Sequence, residues 1–294
     1  MKKILILLSF VTILIGFWAC SNNDNPIDTS ETVIRVDNKL QNDFDKYLER
    51  EFVEPYNLRI LYKLPDFESD FSYTLSPARY RNSVRMANLI KYLCLEPYKK
   101  VAPAGFLQKH FPKFILLVGS AAYNPNGTIV LGTAEGGLKI TLYRVNRLDV
   151  DDIQELYNFY FRTIYHEFSH ILHQTTDYSI DFDKISASTY VGGLWVESWN
   201  SDDEARQAGF ISRYGSSEAN EDFVELISYY ITTPQSDWDT MIQDAGDGGP
   251  IMTQKMGIIR DYLDKVWDLD IDALRDEIQL RVSQLDQQDL DNIE

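Results

Sequence analysis

The sequence predicts an α+β fold: a small mixed sheet with an edge strand beside a long helix, followed by a helical C-terminal part. Two observations carry that expectation. Apolar residues recur at helical spacing over residues 150–174 and again from Met252 to Leu285. Short apolar runs bounded by glycine and proline, at 114–118, 128–131 and 138–145, read as strands and fall only in the first half of the chain. The 294 residues are 44% hydrophobic and 13% aromatic, enough to bury a sizeable core and contrary to disorder.

The first segment is set apart from the rest. Met1-Lys2-Lys3 followed by the apolar run 4–19 has the charged and apolar regions of an export signal. The run stops at Ala19-Cys20, and the composition then turns polar, with Ser21, Asn22, Asn23, Asp24 and Pro26. This junction resembles a lipobox, with Phe17 where leucine is usual. It implies a signal peptide over 1–19, a lipid on Cys20 and a flexible tether over 20–36. The expected product is an exported lipoprotein of the cell envelope, held at the outer membrane by its lipid anchor. The formal charge is −17, and removal of Lys2 and Lys3 makes it −17 − 2 = −19. Such acidity repels phosphate, so nucleic acid is excluded as a partner. Only Cys94 is left beside the lipidated cysteine, so no internal disulfide is expected, and its apolar setting predicts a buried thiol.

From residue 37 the chain reads as one domain, with an α/β part over 37–149 and a helical part over 150–294. Leu40, Phe44, Tyr47, Leu48 and Phe52 are spaced as a helix. Residues 57–64 alternate as a strand that stops at Pro65. Ser76-Pro77 is expected to open a helix carrying Val84, Ala87, Ile90, Leu93 and Cys94 and ending near Pro97. Residues 114–118 are wholly apolar and predict a buried strand. Asn126-Gly127 is a hairpin signal leading into 128–131. Gly132, Gly136 and Gly137 read as a loop without phosphate-binding spacing, and 138–145 as the strand that borders a substrate cleft. The stretch 177–209 lacks periodicity but holds Tyr190, Trp195 and Trp199, and is expected to form a cleft wall. Residues 222–232 read as a helix, 235–250 as a polar loop, and the remainder as two closing helices.

The chemistry is concentrated at Thr163–His173, where His166, Glu167 and His170 stand in H-E-x-x-H order. Residues four apart share a helix face, so both imidazoles can point at one ion, with the Glu167 carboxylate beside them. The alternative is a plain polar helix face. The apolar flanks Ile164, Phe168, Ile171 and Leu172 favour the former. A catalytic zinc takes three protein ligands and a water. His173 lies seven residues after His166, roughly 10 Å along the axis, too far to share its ion on a straight helix. Position 173 also lacks the glycine that turns the chain in metzincins. Downstream, Glu218, Glu221, Asp222 and Glu225 are the candidates. Glu221 and Glu225 are four apart on one face, while an acidic first turn favoured by the helix dipole is the bland reading.

With these residues in place, H-E-x-x-H followed by a later glutamate resembles the gluzincin class, a zincin-like metallopeptidase fold. Tyr214, Glu221 and Glu225 resemble the lethal-factor type in spacing. The resemblance implies one Zn²⁺ held by His166, His170 and Glu221. It further implies that Glu167 is the general base, Glu225 steadies the His166 ring, and the Tyr214 hydroxyl stabilises an oxyanion. Over about 38–232 the chain is also similar to a family of zinc metallohydrolase lipoproteins associated with TonB-dependent substrate import. The stretches that carry this are Leu117-Val118-Gly119-Ser120, residues 127–137, the H-E-x-x-H helix and 221–225. That resemblance implies a peptide or protein substrate and a TonB-dependent transporter system as partner. The alternative is a non-catalytic, zinc-stabilised binding lipoprotein of an uptake system, with Trp195 and Trp199 stacking on ligand.

Overall fold

Six strands and a set of helices are seen in the computed structural model, which describes residues 41–65, 73–123, 129–130, 132–135 and 138–293. The expected signal segment, Cys20, the tether and the Asn126-Gly127 turn lie outside the described residues. The strands are β1 (Arg59–Leu61), β2 (Phe114–Leu117), β3 (Ala122–Tyr123), β4 (Ile129–Val130), β5 (Gly132–Glu135) and β6 (Lys139–Leu142). β1, β2 and β6 run parallel in that order, and β5 closes the sheet antiparallel to β6. β3 and β4 form a separate antiparallel ribbon.

The wholly apolar β2 is buried on both faces, as a central parallel strand must be. Ile115 and Leu117 enter the main core with Ile60, Ile140 and Leu142. Leu116 and Val118 turn to the other face and meet Ala122 and Tyr143. The period of two in the pleat produces this division.

Two strand expectations change. Residues 138–145 do not border a free edge, because β6 is paired by β2 on one side and β5 on the other. Among the described residues the sheet's edges are β1 and β5, and the one beside the H-E-x-x-H helix is β5, a Gly-Thr-Ala-Glu strand that begins at the expected loop residue Gly132. Its strand character comes from pairing with β6, a tertiary contact that overrides weak local propensity.

Among the helices we name α1 (Asp43–Leu48), α2 (Tyr80–Leu89), α3 (Arg162–Thr175), α4 (Asp202–Gln207), α5 (Ala219–Thr232), α6 (Gln235–Asp244), α7 (Gly248–Trp267) and α8 (Ile271–Val282). Ser76-Pro77 does not open α2, which starts at Tyr80. Pro77 instead bridges to Val118, and the Asn146 side chain accepts from the Arg79 N–H (2.7 Å) while donating to the Pro77 carbonyl (3.1 Å). Nor does the helix end at Pro97. It widens into a π turn over Ile90–Leu95 and continues through Glu96–Val101. Pro97 has no N–H for the Leu93 carbonyl. The Tyr165 hydroxyl of α3 donates to that carbonyl instead, at 2.7 Å.

The stretch 235–250 is not a loop. It forms α6 and the start of α7, anchored by the buried Trp238. Its glycines answer to packing: a Cβ on Gly248 would lie 1.8 Å from the Arg206 carbonyl oxygen, and one on Gly249 would lie 2.3 Å from that of Ile242. Only glycine lets α7 approach α4 and α6 this closely. One hydrophobic core then runs from Phe44 to Leu290 through sheet and helices alike. Cys94 lies fully buried within it, and burial pushes its thiol pKa up. No helix among the described residues is long and apolar enough to cross a membrane.

Candidate metal centre

α3 and α5 pack side by side and supply the chemistry from facing surfaces. Ile164, Phe168 and Leu172 fasten α3 into the core, while Phe223, Leu226 and Ile227 fasten α5. The 3.6-residue period then places His166 and His170 on the seam, opposite Glu221.

Three ligand atoms converge there. His166 Nε2 and His170 Nε2 are 3.1 Å apart, and Glu221 Oε2 lies 3.1 Å from the first and 3.3 Å from the second. Tetrahedral zinc with bonds near 2.0–2.1 Å sets its ligands about 3.3 Å apart, so the group fits such an ion. The donor chemistry agrees. Two imidazole nitrogens facing each other beside a carboxylate suit a cation between them, and among the described residues these three meet closely enough to hold one.

Each histidine is held from behind. His166 Nδ1 lies 2.9 Å from Glu225 Oε1, and Glu225 Oε2 accepts from the Ser212 hydroxyl at 2.5 Å. Ser212 Oγ in turn accepts the Gly215 N–H at 3.1 Å, which ties the Tyr214–Ser216 turn to the same carboxylate. His170 Nδ1 lies 2.9 Å from His173 Nε2. With an ion held at Nε2, Nδ1 of each of these histidines would carry the proton and donate, which would fix the ring.

The electrostatics follow from crowding charge in a partly closed site. Burial works to lower the His166 pKa, but the Glu221 and Glu225 carboxylates outweigh it and raise it to about 10. Burial works to raise Glu221, and the two imidazoles outweigh it and hold the carboxyl well below its usual range. A metal ion bound here would take the place of the proton these groups share. Glu167 stands beside His166 and its carboxyl is raised, mainly by burial, against the two imidazoles. Tyr214 is pushed up by burial first and then by Glu221 and Glu225; its ring lies 6.1 Å from His166 and 5.3 Å edge-on from Trp195.

The rival acids separate in space. Glu218 is exposed at the start of α5. Asp222 turns away from His166, His170 and Glu221 into the core, where Lys255 Nζ reaches its Oδ2 at 2.5 Å and the Tyr190 hydroxyl donates to it at 2.9 Å. His173 is buried at 6% exposure against Tyr178 and Phe223. Burial and then His170 lower its pKa to about 4, so it stays a neutral acceptor. The i, i+3 spacing from His170 was the available signal, since such residues are neighbours on a helix. Ser212 had no signal, because nothing in its local sequence reports that it meets Glu225. Of the two tryptophans placed in the cleft wall, Trp195 reaches Tyr214, whereas Trp199 donates its indole N–H to Ser216 Oγ at 2.7 Å.

Comparison with known proteins agrees with this geometry. The family model described as "Putative zinc-binding metallo-peptidase" matches residues 37–272. A crystal structure described as a putative zinc-binding metallo-peptidase from Bacteroides caccae is 38% identical, with a TM-score of 0.76. That match covers 86% of this chain and 96% of the other. No curated protein matches the chain.

Proposed function

Since the chain belongs to the family described as "Putative zinc-binding metallo-peptidase", we propose that it is a zinc-dependent peptidase with a single metal ion at His166, His170 and Glu221. The observation that carries this reading is the convergence of those three ligand atoms with Glu167 one residue from the first histidine. When bound, zinc supplies a lowered water pKa and polarises the carbonyl to be attacked.

The chain's own groups do the rest. The Glu167 carboxylate takes the proton of the attacking water and hands it to the leaving amine, a role suited to a carboxyl raised by burial. Burial and the neighbouring carboxylates keep the Tyr214 phenol protonated, so it donates to the developing oxyanion. Glu225 and His173 hold the two imidazoles in their ligating tautomer. The edge of β5, unpaired among the described residues, offers backbone N–H and C=O groups to an extended peptide lying along α3.

Metal analysis together with a proteome-wide cleavage assay on wild type and Glu167→Gln tests the reading. The variant is expected to retain zinc and lose at least a hundred-fold in turnover, the scale of a removed general base. A variant as active as wild type removes Glu167 from the chemistry, whereas ligand binding without cleavage of any peptide, alike in wild type and variant, supports the binding-lipoprotein alternative. The lipid on Cys20, the outer-membrane tether and a partnership with a TonB-dependent transporter extend the proposal, supported by the N-terminal sequence and the family resemblance. Mass spectrometry of the mature N-terminus tests the lipid, and co-purification with an outer-membrane transporter tests the partnership.

A further inference from the structure

A surface cavity of about 630 Å³ opens at the carboxyl ends of β2 and β6, lined in part by Arg79, Gly119, Ser120, Arg144, Asn146 and Arg147. Loops diverge at this end of a parallel sheet, which is where open α/β sheets take their ligands. No described carboxylate lines the cavity, and none of the three arginines forms an ion pair with a described carboxylate. In a chain of net charge −17, three arginines lining one hollow with no described carboxylate among its lining residues form a marked local reversal of sign.

Arg144 is held in place. Its backbone is left-handed, with φ 63° and ψ 15°, a region that disfavours residues with a Cβ. Its N–H donates to the Ser120 carbonyl at 2.9 Å, and its own carbonyl accepts from the Tyr160 hydroxyl at 3.1 Å. The guanidinium lies 3.6 Å from the centroid of the Phe159 ring. A stacked guanidinium keeps its edge donors free for a planar anion.

The position relative to the metal group is informative. Phe159 precedes His166 and Glu167 by about two helical turns, roughly 10 Å along the axis. β5, an edge strand among the described residues, is four residues long, about 10 Å at 3.3 Å per residue, and packs against that helix. Its Gly132 pairs with Leu142, two residues before Arg144, and its Glu135 pairs with Lys139 at the far end. An extended peptide advances about 3.3 Å per residue, so about three residues connect the two places.

We propose that this arginine hollow is a substrate subsite that selects an anionic group about three residues from the cleaved bond, at the spacing of an extended strand. The anion is an acidic side chain or the terminal carboxylate of a peptide. The inference rests on the peptidase reading above and names its substrate class.

The test uses the zinc-loaded chain and a set of fluorogenic peptides. Glu or Gln is placed at each position in turn, with the C-terminus free or amidated. The expected result is a ten-fold or greater preference in kcat/KM for Glu over Gln at one position, or for the free over the amidated terminus. These two arms tell the side chain from the terminal carboxylate. Arg144→Gln is expected to bring the ratio close to one, and Arg79→Gln to lower it. The ratio is taken within one variant, so loss of folded protein lowers both of its members together. A wild type indifferent to charge, or an Arg144→Gln variant with the wild-type ratio, overturns the proposal. If no peptide is cleaved, the peptidase reading fails. The subsite is then decided by binding of the same peptides to zinc-loaded Glu167→Gln: equal affinity for charged and neutral peptides overturns it, and a preference abolished by Arg144→Gln upholds it.

Discussion

His170 and His173 face each other ring to ring, Nδ1 to Nε2, at 2.9 Å. The two histidine ligands are therefore steadied differently: His166 by the Glu225 carboxylate, His170 by a neutral, buried imidazole. Replacing His173 with Phe fills the space against Tyr178 and Phe223 but removes the acceptor. Zinc affinity is expected to fall 10- to 100-fold, the usual cost of losing such a partner, with the far-ultraviolet circular dichroism unchanged. Competition with a chromophoric chelator measures it, and wild-type affinity would assign His173 a packing role alone.

The raised His166 pKa predicts the pH behaviour of the metal-free protein. The folded value, about 10, exceeds the ordinary 6.5. The group's contribution to stability is thus fully present below 6.5 and is lost as pH rises through about 10. Glu221 is depressed and stays ionised throughout that window, so it adds no slope there. The melting temperature of the metal-free protein is expected to fall between these limits, and zinc to remove most of the slope by replacing the proton. Zinc binding at pH 7 should release about one proton, measurable by calorimetry in buffers of different ionisation enthalpy.

Lys255 and Asp222 are both fully buried, and Lys255 also donates to the Gly209 carbonyl at 2.8 Å. Burial raises the carboxyl and lowers the amine, so desolvation offsets part of their attraction. Lys255→Met leaves an uncompensated carboxylate in the core. It is expected to cost about 3–5 kcal/mol in urea unfolding, and Lys255→Met with Asp222→Asn to recover a large part of it. The single variant should also lose zinc affinity, because Asp222 is the chain neighbour of Glu221.

Tyr165→Phe removes the donor that satisfies the Leu93 carbonyl, the one that Pro97 leaves free. The expected cost is about 1–3 kcal/mol, that of a buried acceptor left unmade. Denaturant unfolding of the variant at unchanged m-value checks it.

Much of the site could be read from local pattern. His166 and His170 are four apart on one helix with Glu167 next to the first, and any amphipathic helix with that spacing presents the two imidazoles together with the carboxylate beside them. Glu221 and Glu225 obey the same rule. The sheet was partly legible, because the apolar run of β2 leaves few alternatives to a strand buried on both faces.

Other features have no local signature. Gly132 enters a strand because β6 offers it a backbone partner, so the described sheet edge beside the H-E-x-x-H helix lies at β5. Gly248 and Gly249 look like loop residues until the Arg206 and Ile242 carbonyls are seen against them. Ser212 and Lys255 each matter through a residue far away in the chain, Glu225 and Asp222. By itself the sequence determined which residue types can hold and use a metal, since periodicity along one helix is a local property. Only the tertiary structure decided which acid turns toward the ion. Adjacent residues on α5 point about 100° apart, and the packing of α3 and α7 on either side sends Glu221 to the histidines and Asp222 to the lysine.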